Sequence, residues 1–173
     1  KACLRDYQKE GFVWMSRMAA MGFGACLADD MGLGKTLQSL ALILSRAKDG
    51  PSLVVAPTSV CMNWQAEIRR FAPTLSMRML AEMPRGSAGA FAPFEVLIAS
   101  YTLLQQERKL LASVRWQTIV LDEAQAIKNA ATKRSQAAMQ LNGAFRLITT
   151  GTPIENHLGE LWNLFAFINP GLL

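Results

Sequence analysis

The stretch Asp30-Met31-Gly32-Leu33-Gly34-Lys35-Thr36 decides how the rest of this chain is read. It follows the short apolar run Ala25–Ala28 and opens a segment, residues 35–46, with the periodicity of a helix. A strand, a glycine-rich turn and a helix in that order make a phosphate cradle. Several backbone N–H groups must converge on one anion, and glycine lets the chain approach closely and adopt positive φ. The free N–H groups and dipole of the helix start add to the attraction. Lys35 can reach the β/γ-phosphates of a nucleotide, and the Thr36 hydroxyl can ligate Mg²⁺. The strict phosphate-loop pattern would place glycine at position 29, where this chain has Asp29. A glycine-rich helix entry without a ligand gives a similar string, so the reading depends on what lies downstream.

Downstream, apolar runs alternate with amphipathic stretches. Strands are expected at Ser52–Ala56, Glu95–Ala99, Trp116–Leu121 and Phe145–Thr149, with a weaker one, possible at an edge, at Leu75–Leu80. Helices are expected over residues 4–20, 35–46, 60–72, 101–113, 131–142 and 157–168, and an irregular loop over 81–93. On the first helix Leu4, Tyr7, Gly11, Trp14 and Met18 share a face; on the last, Leu158, Leu161, Trp162, Phe165 and Ile168 do. This alternation predicts an α/β fold with a mostly parallel sheet and right-handed crossovers. Leu53-Val54-Val55-Ala56 and Thr118-Ile119-Val120-Leu121 are apolar on both faces, which suits strands covered by helices on each side. Such sheets place their ligands at the carboxyl ends of the strands.

Two further motifs sit at such ends. Asp122-Glu123-Ala124-Gln125 follows the strand ending at Leu121. Asp122 can hold Mg²⁺, and Glu123 can take a proton from an attacking water. On its own, an acidic pair after a strand also suits a solvated helix start. With the Gly-Lys-Thr loop on a strand expected to be its neighbour, the pair reads as catalytic. Thr149-Thr150-Gly151-Thr152-Pro153 follows the next strand; its small hydroxyls could sense the nucleotide, although on its own the motif is better accounted for by an ordinary turn.

Composition bounds the class. The chain has 173 residues, 51% of them hydrophobic and 18% charged, which suits one globular domain and excludes a disordered chain. No apolar run approaches the ~18 residues of a spanning helix. The net charge of +5 is spread along the chain; it permits a polyanionic partner without demanding one. Cys3, Cys26 and Cys61 are too few and too widely spaced for a disulfide framework or a zinc site, and fit a reducing intracellular compartment. The start Lys1-Ala2-Cys3-Leu4 has no signal-peptide character and is expected to lie inside a longer parent.

Taken together and in order, the motifs resemble those of the Swi/Snf-type DNA-dependent ATPases, a helicase-like group that includes chromatin remodellers and bacterial relatives. The resemblance is carried by Leu4-Arg5-Asp6-Tyr7-Gln8 with Gly11 and Trp14, Asp30–Thr36, Ala56-Pro57-Thr58-Ser59 with Asn63-Trp64, and Ala99-Ser100-Tyr101. It continues through Asp122–Asn129 and Thr150-Gly151-Thr152-Pro153-Ile154-Glu155-Asn156 with Glu160-Leu161-Trp162. Asp30 stands where glutamate is usual, and Asp29 in place of glycine is itself the family's habit.

The resemblance implies a RecA-like P-loop fold of three layers, ATP and Mg²⁺ as ligands, and residues 1–173 as the first lobe of a two-lobe motor. It implies adenine recognition by Gln8 and phosphate binding by Asp30, Met31, Gly32, Leu33, Gly34, Lys35 and Thr36. Metal would be held by Thr36 and Asp122, with Glu123 as base. It implies coupling through Gln125 to Thr150, Gly151 and Thr152, and double-stranded DNA backbone contacts from Thr58, Ser59, Ser100, Tyr101, Lys128 and Asn129. The arginine finger would come from the second lobe; no basic residue follows Arg146. The isolated lobe is then expected to bind nucleotide and hydrolyse it poorly. The parent would be nuclear in a eukaryote and nucleoid-associated in a bacterium.

Three other readings compete. A P-loop phosphotransferase would need an arginine-rich lid, and none is visible. An RNA helicase would show Asp-Glu-Ala-Asp or Asp-Glu-x-His at 122–125, where this chain has Gln125. A non-hydrolysing binding module would not need both Lys35 and Glu123. Among the remaining residues, His157 reads as structural, Arg69-Arg70 as a solvated helix face, and Trp14, Trp64, Trp116 and Trp162 as core.

Overall fold

Six parallel strands form the central sheet of the computed structural model, which describes residues 4–28, 34–86, 90–151 and 158–172. In chain order the elements are α1 (Asp6–Ala20), β1 (Ala25–Leu27), α2 (Lys35–Arg46), β2 (Ser52–Ala56), α3 (Thr58–Phe71), β3 (Ser76–Met79) and β4 (Glu95–Ser100). They continue with α4 (Tyr101–Gln106), α5 (Arg108–Ser113), β5 (Arg115–Trp116), β6 (Thr118–Leu121), α6 (Lys133–Met139), β7 (Asn142–Gly143), β8 (Arg146–Thr149) and α7 (Leu158–Ile168). The order across the sheet is β1-β8-β6-β2-β4-β3. The expected edge strand is therefore at an edge, as β3.

Side chains alternate across the strands and build two cores. Val54, Ala56, Val96, Ile98, Val120 and Leu147 face α1, α2 and α3, where Met15, Leu40, Ile43, Trp64 and Ile68 are fully or almost fully buried. Leu53, Val55, Leu97, Ala99, Ile119, Leu121 and Ile148 face the other way, against Tyr101, Leu104, Leu111, Leu164 and Phe167. Each buried Val, Leu, Ile, Met or Phe among them contributes ~1.5–3 kcal/mol by leaving water. Period-2 strands with both faces apolar thus give three layers.

Four details depart from the sequence expectation. β8 lies between β1 and β6, so the glycine-rich loop and Asp122 are not on neighbouring strands. The expected strand 116–121 breaks at Gln117: Arg115–Trp116 pairs with Asn142–Gly143 in a separate small sheet, because the Gln117 N–H turns to Pro51 O at 2.7 Å. Gly143 permits that pairing; a Cβ there would lie 2.5 Å from Ile119 Cδ1. The phase of α1 is shifted by one residue, so that Gln8 and Met15 are buried while Tyr7 and Trp14 are exposed. Trp162 is also exposed, with Leu158 and Phe165; α7 instead buries Asn163, Leu164, Phe167 and Ile168. Trp64 and Trp116 are core, as expected. Among the described residues, no helix is long and apolar enough to cross a membrane.

Candidate active site

The carboxyl ends of β1, β2, β4, β6 and β8 lie at one end of the sheet, and the predicted motifs follow them in sequence. The left-handed backbone of Gly34 (φ 77°, ψ 36°) turns the chain into α2, a conformation that costs a β-carbon about 1–2 kcal/mol. A Cβ at Gly34 would also lie 2.3 Å from Gln8 Nε2, so Gln8 of α1 sits directly over the loop exit. Its Oε1 accepts from the Arg5 N–H at 2.9 Å. No side chain caps α2, whose first-turn N–H groups face the same end. Asp30, Met31, Gly32 and Leu33 lie outside the described residues, as does Thr152.

A cleft of about 380 Å³ brings together Lys35 and Thr36 from α2, Asn63 and Glu67 from α3, and Asp122 and Glu123 from the end of β6. Asp122 is 7% exposed and held by three neutral donors. Trp64 Nε1–H donates to its Oδ2 at 2.8 Å, and the Thr149 hydroxyl and Glu123 N–H donate to its Oδ1 at 2.5 and 3.0 Å. The Asp122 main-chain carbonyl accepts from Tyr101 Oη at 2.8 Å. Neutral donors stabilise a buried carboxylate without cancelling its charge, which leaves it able to attract a cation.

Glu123 takes a left-handed backbone (φ 51°, ψ 55°) rare for a residue with a side chain. Its Oε2 accepts from Gln125 Nε2 at 2.7 Å, and Gln125 Oε1 accepts from the Thr150 hydroxyl at 3.1 Å. A continuous chain of side chains thus runs from the end of β8 to Glu123. Behind it, Asn163 of α7 donates to Ile127 O at 2.5 Å and Ser135 Oγ at 2.7 Å, fixing the 124–127 turn against α6.

The sequence-predicted DNA contacts divide. Thr58 and Ser59 are exposed at the start of α3. Ser100 and Tyr101 are buried: Ser100 Oγ caps α4 by accepting from Leu103 N at 3.2 Å, and the Tyr101 hydroxyl is taken by Asp122. Burial and the two nearby carboxylates hold that phenol well above its usual range. Lys128 Nζ pairs with Glu160 of α7 at 3.3 Å, and Asn129 Oδ1 accepts from Ala131 N at 2.9 Å. Trp64 and Asn163 lie outside the site residues expected from the sequence, whereas Thr149 opens the Thr149–Pro153 motif whose hydroxyls face the nucleotide site in that expectation. The Asn63-Trp64 pair within a phosphate-end helix is the available signal for Trp64; nothing in the sequence marks Asn163.

Among the described residues, no group of three or more His, Cys, Asp or Glu could hold an ion unaided. One carboxylate and one hydroxyl beside a phosphate cradle is the donor set of Mg²⁺ shared with phosphate oxygens.

Residues 7–173 match the model of the SNF2-related domain. The chain belongs to the SNF2-related family. This SNF2-related domain is 47% identical over 181 residues to the putative ATP-dependent helicase/translocase YwqA of Bacillus subtilis, covering 100% of the chain and 20% of that protein. It is 41% identical to the chromatin-remodeling ATPase INO80 of Arabidopsis thaliana, covering 99% of the chain and 12% of that protein. The Sulfolobus solfataricus SWI2/SNF2 ATPase core, solved in complex with dsDNA, superposes with a TM-score of 0.89 at 45% identity, over 100% of this chain and 37% of that one. The domain therefore has the RecA-like α/β fold of the SWI2/SNF2 ATPase core and spans at most about a fifth of these two relatives.

Proposed function

We propose that this SNF2-related domain is the ATP- and Mg²⁺-binding first lobe of a double-stranded-DNA-dependent ATPase and translocase. The observation that carries the reading is the meeting of Lys35, Thr36, Asp122 and Glu123 in one cleft. Lys35 and the first turn of α2 bind the phosphates, with Gly32 and Gly34 allowing close approach and Gln8 meeting the adenine edge. Thr36 and Asp122 would hold Mg²⁺, which when bound neutralises charge on the transferred phosphate. Glu123 accepts the proton of the attacking water. Gln125, bonded to both Glu123 and Thr150, orients that carboxylate and ties it to Thr150, Gly151 and Thr152.

Duplex DNA lies along the starts of α3 and α4. Thr58 and Ser59 offer exposed hydroxyls and N–H groups to the backbone, Lys128 and Asn129 extend the contact, and Ser100 and Tyr101 shape it from below. The dsDNA in the archaeal complex and the helicase and remodelling activities named for the relatives support this reading over the RNA and phosphotransferase alternatives. A second lobe of the same parent completes the site with its arginine. Alone, this lobe binds nucleotide and turns it over poorly. The parent works inside the cell, on chromatin or on the nucleoid.

Titrating the chain and Lys35→Ala with a fluorescent ATP analogue, and assaying the full-length protein with duplex DNA against RNA, tests the proposal. Nucleotide binding is lost in Lys35→Ala, and duplex DNA alone stimulates ATP turnover. Wild-type affinity in Lys35→Ala, or stimulation by RNA only, contradicts it.

A further inference from the structure

Two helices whose starts face the proposed DNA path each send one buried donor to Asp122. α3 begins at Thr58, directly after β2, and carries Trp64; α4 begins at Tyr101, directly after β4. Trp64 Nε1–H reaches the Asp122 carboxylate and Tyr101 Oη–H its main-chain carbonyl, both at 2.8 Å. The three residues are 0%, 3% and 7% exposed, so water cannot readily replace either bond. Packing alone does not explain the Tyr101 hydroxyl, since phenylalanine there would fill the same core without a donor. Six residues of helix separate Thr58 from Trp64, ~9 Å along a rigid axis. A small axial shift of α3 at the DNA surface therefore moves the indole N–H by the same amount.

We propose that Trp64 and Tyr101 are positioning residues that carry the engagement of duplex DNA at the starts of α3 and α4 to Asp122, so that ATP turnover responds to DNA through these two hydrogen bonds. The inference rests on the DNA-dependent ATPase reading above. Thr149 supplies an internal control: it donates to the same carboxylate at 2.5 Å from the end of strand β8, not from a helix.

The test uses the full-length protein with Trp64→Phe, Tyr101→Phe and Thr149→Val. ATP turnover is measured with and without duplex DNA, DNA affinity by fluorescence anisotropy, and the tryptophans by ¹⁹F NMR after 5-fluorotryptophan labelling. In Trp64→Phe and Tyr101→Phe the ratio of DNA-stimulated to basal turnover falls at least fivefold, while DNA affinity stays within twofold. Thr149→Val lowers both rates together and keeps the ratio. The fluorine signal absent from Trp64→Phe shifts when duplex DNA is added without nucleotide. Should Trp64→Phe fail to fold, Tyr101→Phe, which loses one oxygen, decides. A wild-type ratio in the variants, or an equal loss of ratio in Thr149→Val, overturns the inference and leaves the ATPase reading intact. A wild-type protein that duplex DNA does not stimulate overturns both.

Discussion

Asp122, directly after β6, and Arg146, the first residue of the adjacent β8, are buried charged residues at opposite ends of the sheet. Asp122 accepts from neutral donors and lines a cleft that also holds Lys35 and Thr36. Arg146 gives its donors to the chain itself: Nη1 to Phe167 O at 3.0 Å and Nη2 to Leu141 O at 2.5 Å, with Cζ 5.0 Å from the Phe167 ring centroid. Those carbonyls follow α6 and close α7, where a cation complements the helix dipole. Burial lowers the guanidinium pKa, yet it remains the cation of that clamp. Both residues bear a desolvation cost. One charge is left available for a ligand, the other is consumed in holding two helices to the sheet. Burial of a charge therefore does not by itself mark a catalytic site; the identity of its partners does.

The comparison breaks most easily at the catalytic end. In the full-length protein, Glu123→Gln keeps ATP affinity and lowers turnover by about 10²–10⁴, because the amide has the shape of the carboxylate and cannot take the proton. Filter binding beside a phosphate-release assay checks it. Near-wild-type turnover would move the base elsewhere.

At the other end, Arg146→Met leaves Leu141 O and Phe167 O without their donor. About 2–4 kcal/mol of stability is lost, a fall in Tm of roughly 5–15 °C, with nucleotide affinity unchanged. Thermal unfolding alongside nucleotide titration checks the pairing of these outcomes, and a matching loss of affinity would erase the distinction between the two ends. Gly143→Ala is smaller, about 1–3 kcal/mol, since the new methyl group presses on Ile119 Cδ1. Ile119→Val, which removes that carbon, recovers part of the loss in the double variant's denaturant midpoint. The least effect comes from Lys128→Ala. Its ammonium is shared with Glu160, so the log–log salt slope of duplex binding by this chain, itself about −1 to −3, shallows by at most about 1.

Elements with a strict local pattern were legible. β2 and α2 have the bounds expected for them, because their apolar periods are uninterrupted and their ends are set by Pro57 and Gly34. The 115–121 segment was not, because the break at Gln117 comes from a hydrogen bond to Pro51, far back in the chain. α1 was read one residue out of phase, since Tyr7 and Trp14 look like core while the buried Gln8 does not. At the site, the residues proposed to meet nucleotide and metal lie in short motifs and are legible in the sequence. Those that hold them in place act across long separations: Trp64 reaches Asp122 across 58 residues and Asn163 reaches Ile127 across 36. No periodicity encodes such a bond. Nor did spacing reveal that β8 is inserted between β1 and β6, the arrangement that lets Thr149 touch Asp122 at all.

The pairing of β1 with β8 also has a consequence for the order of assembly. Ala25 lies in register with Leu147, and among the described residues β1 pairs with no other strand. A ribosome adding ~5–20 residues per second leaves an interval on the order of ten seconds between the two. During it β2, β3 and β4 can pair, and β6 can join β2, but β1, which precedes the glycine-rich segment, has no partner strand. Non-local pairings of this kind are slow to form, and their edges stay exposed until they do. The end of the sheet proposed to bind ATP is thus completed only when β8 arrives, and a nucleotide that binds only the completed form would draw that step forward.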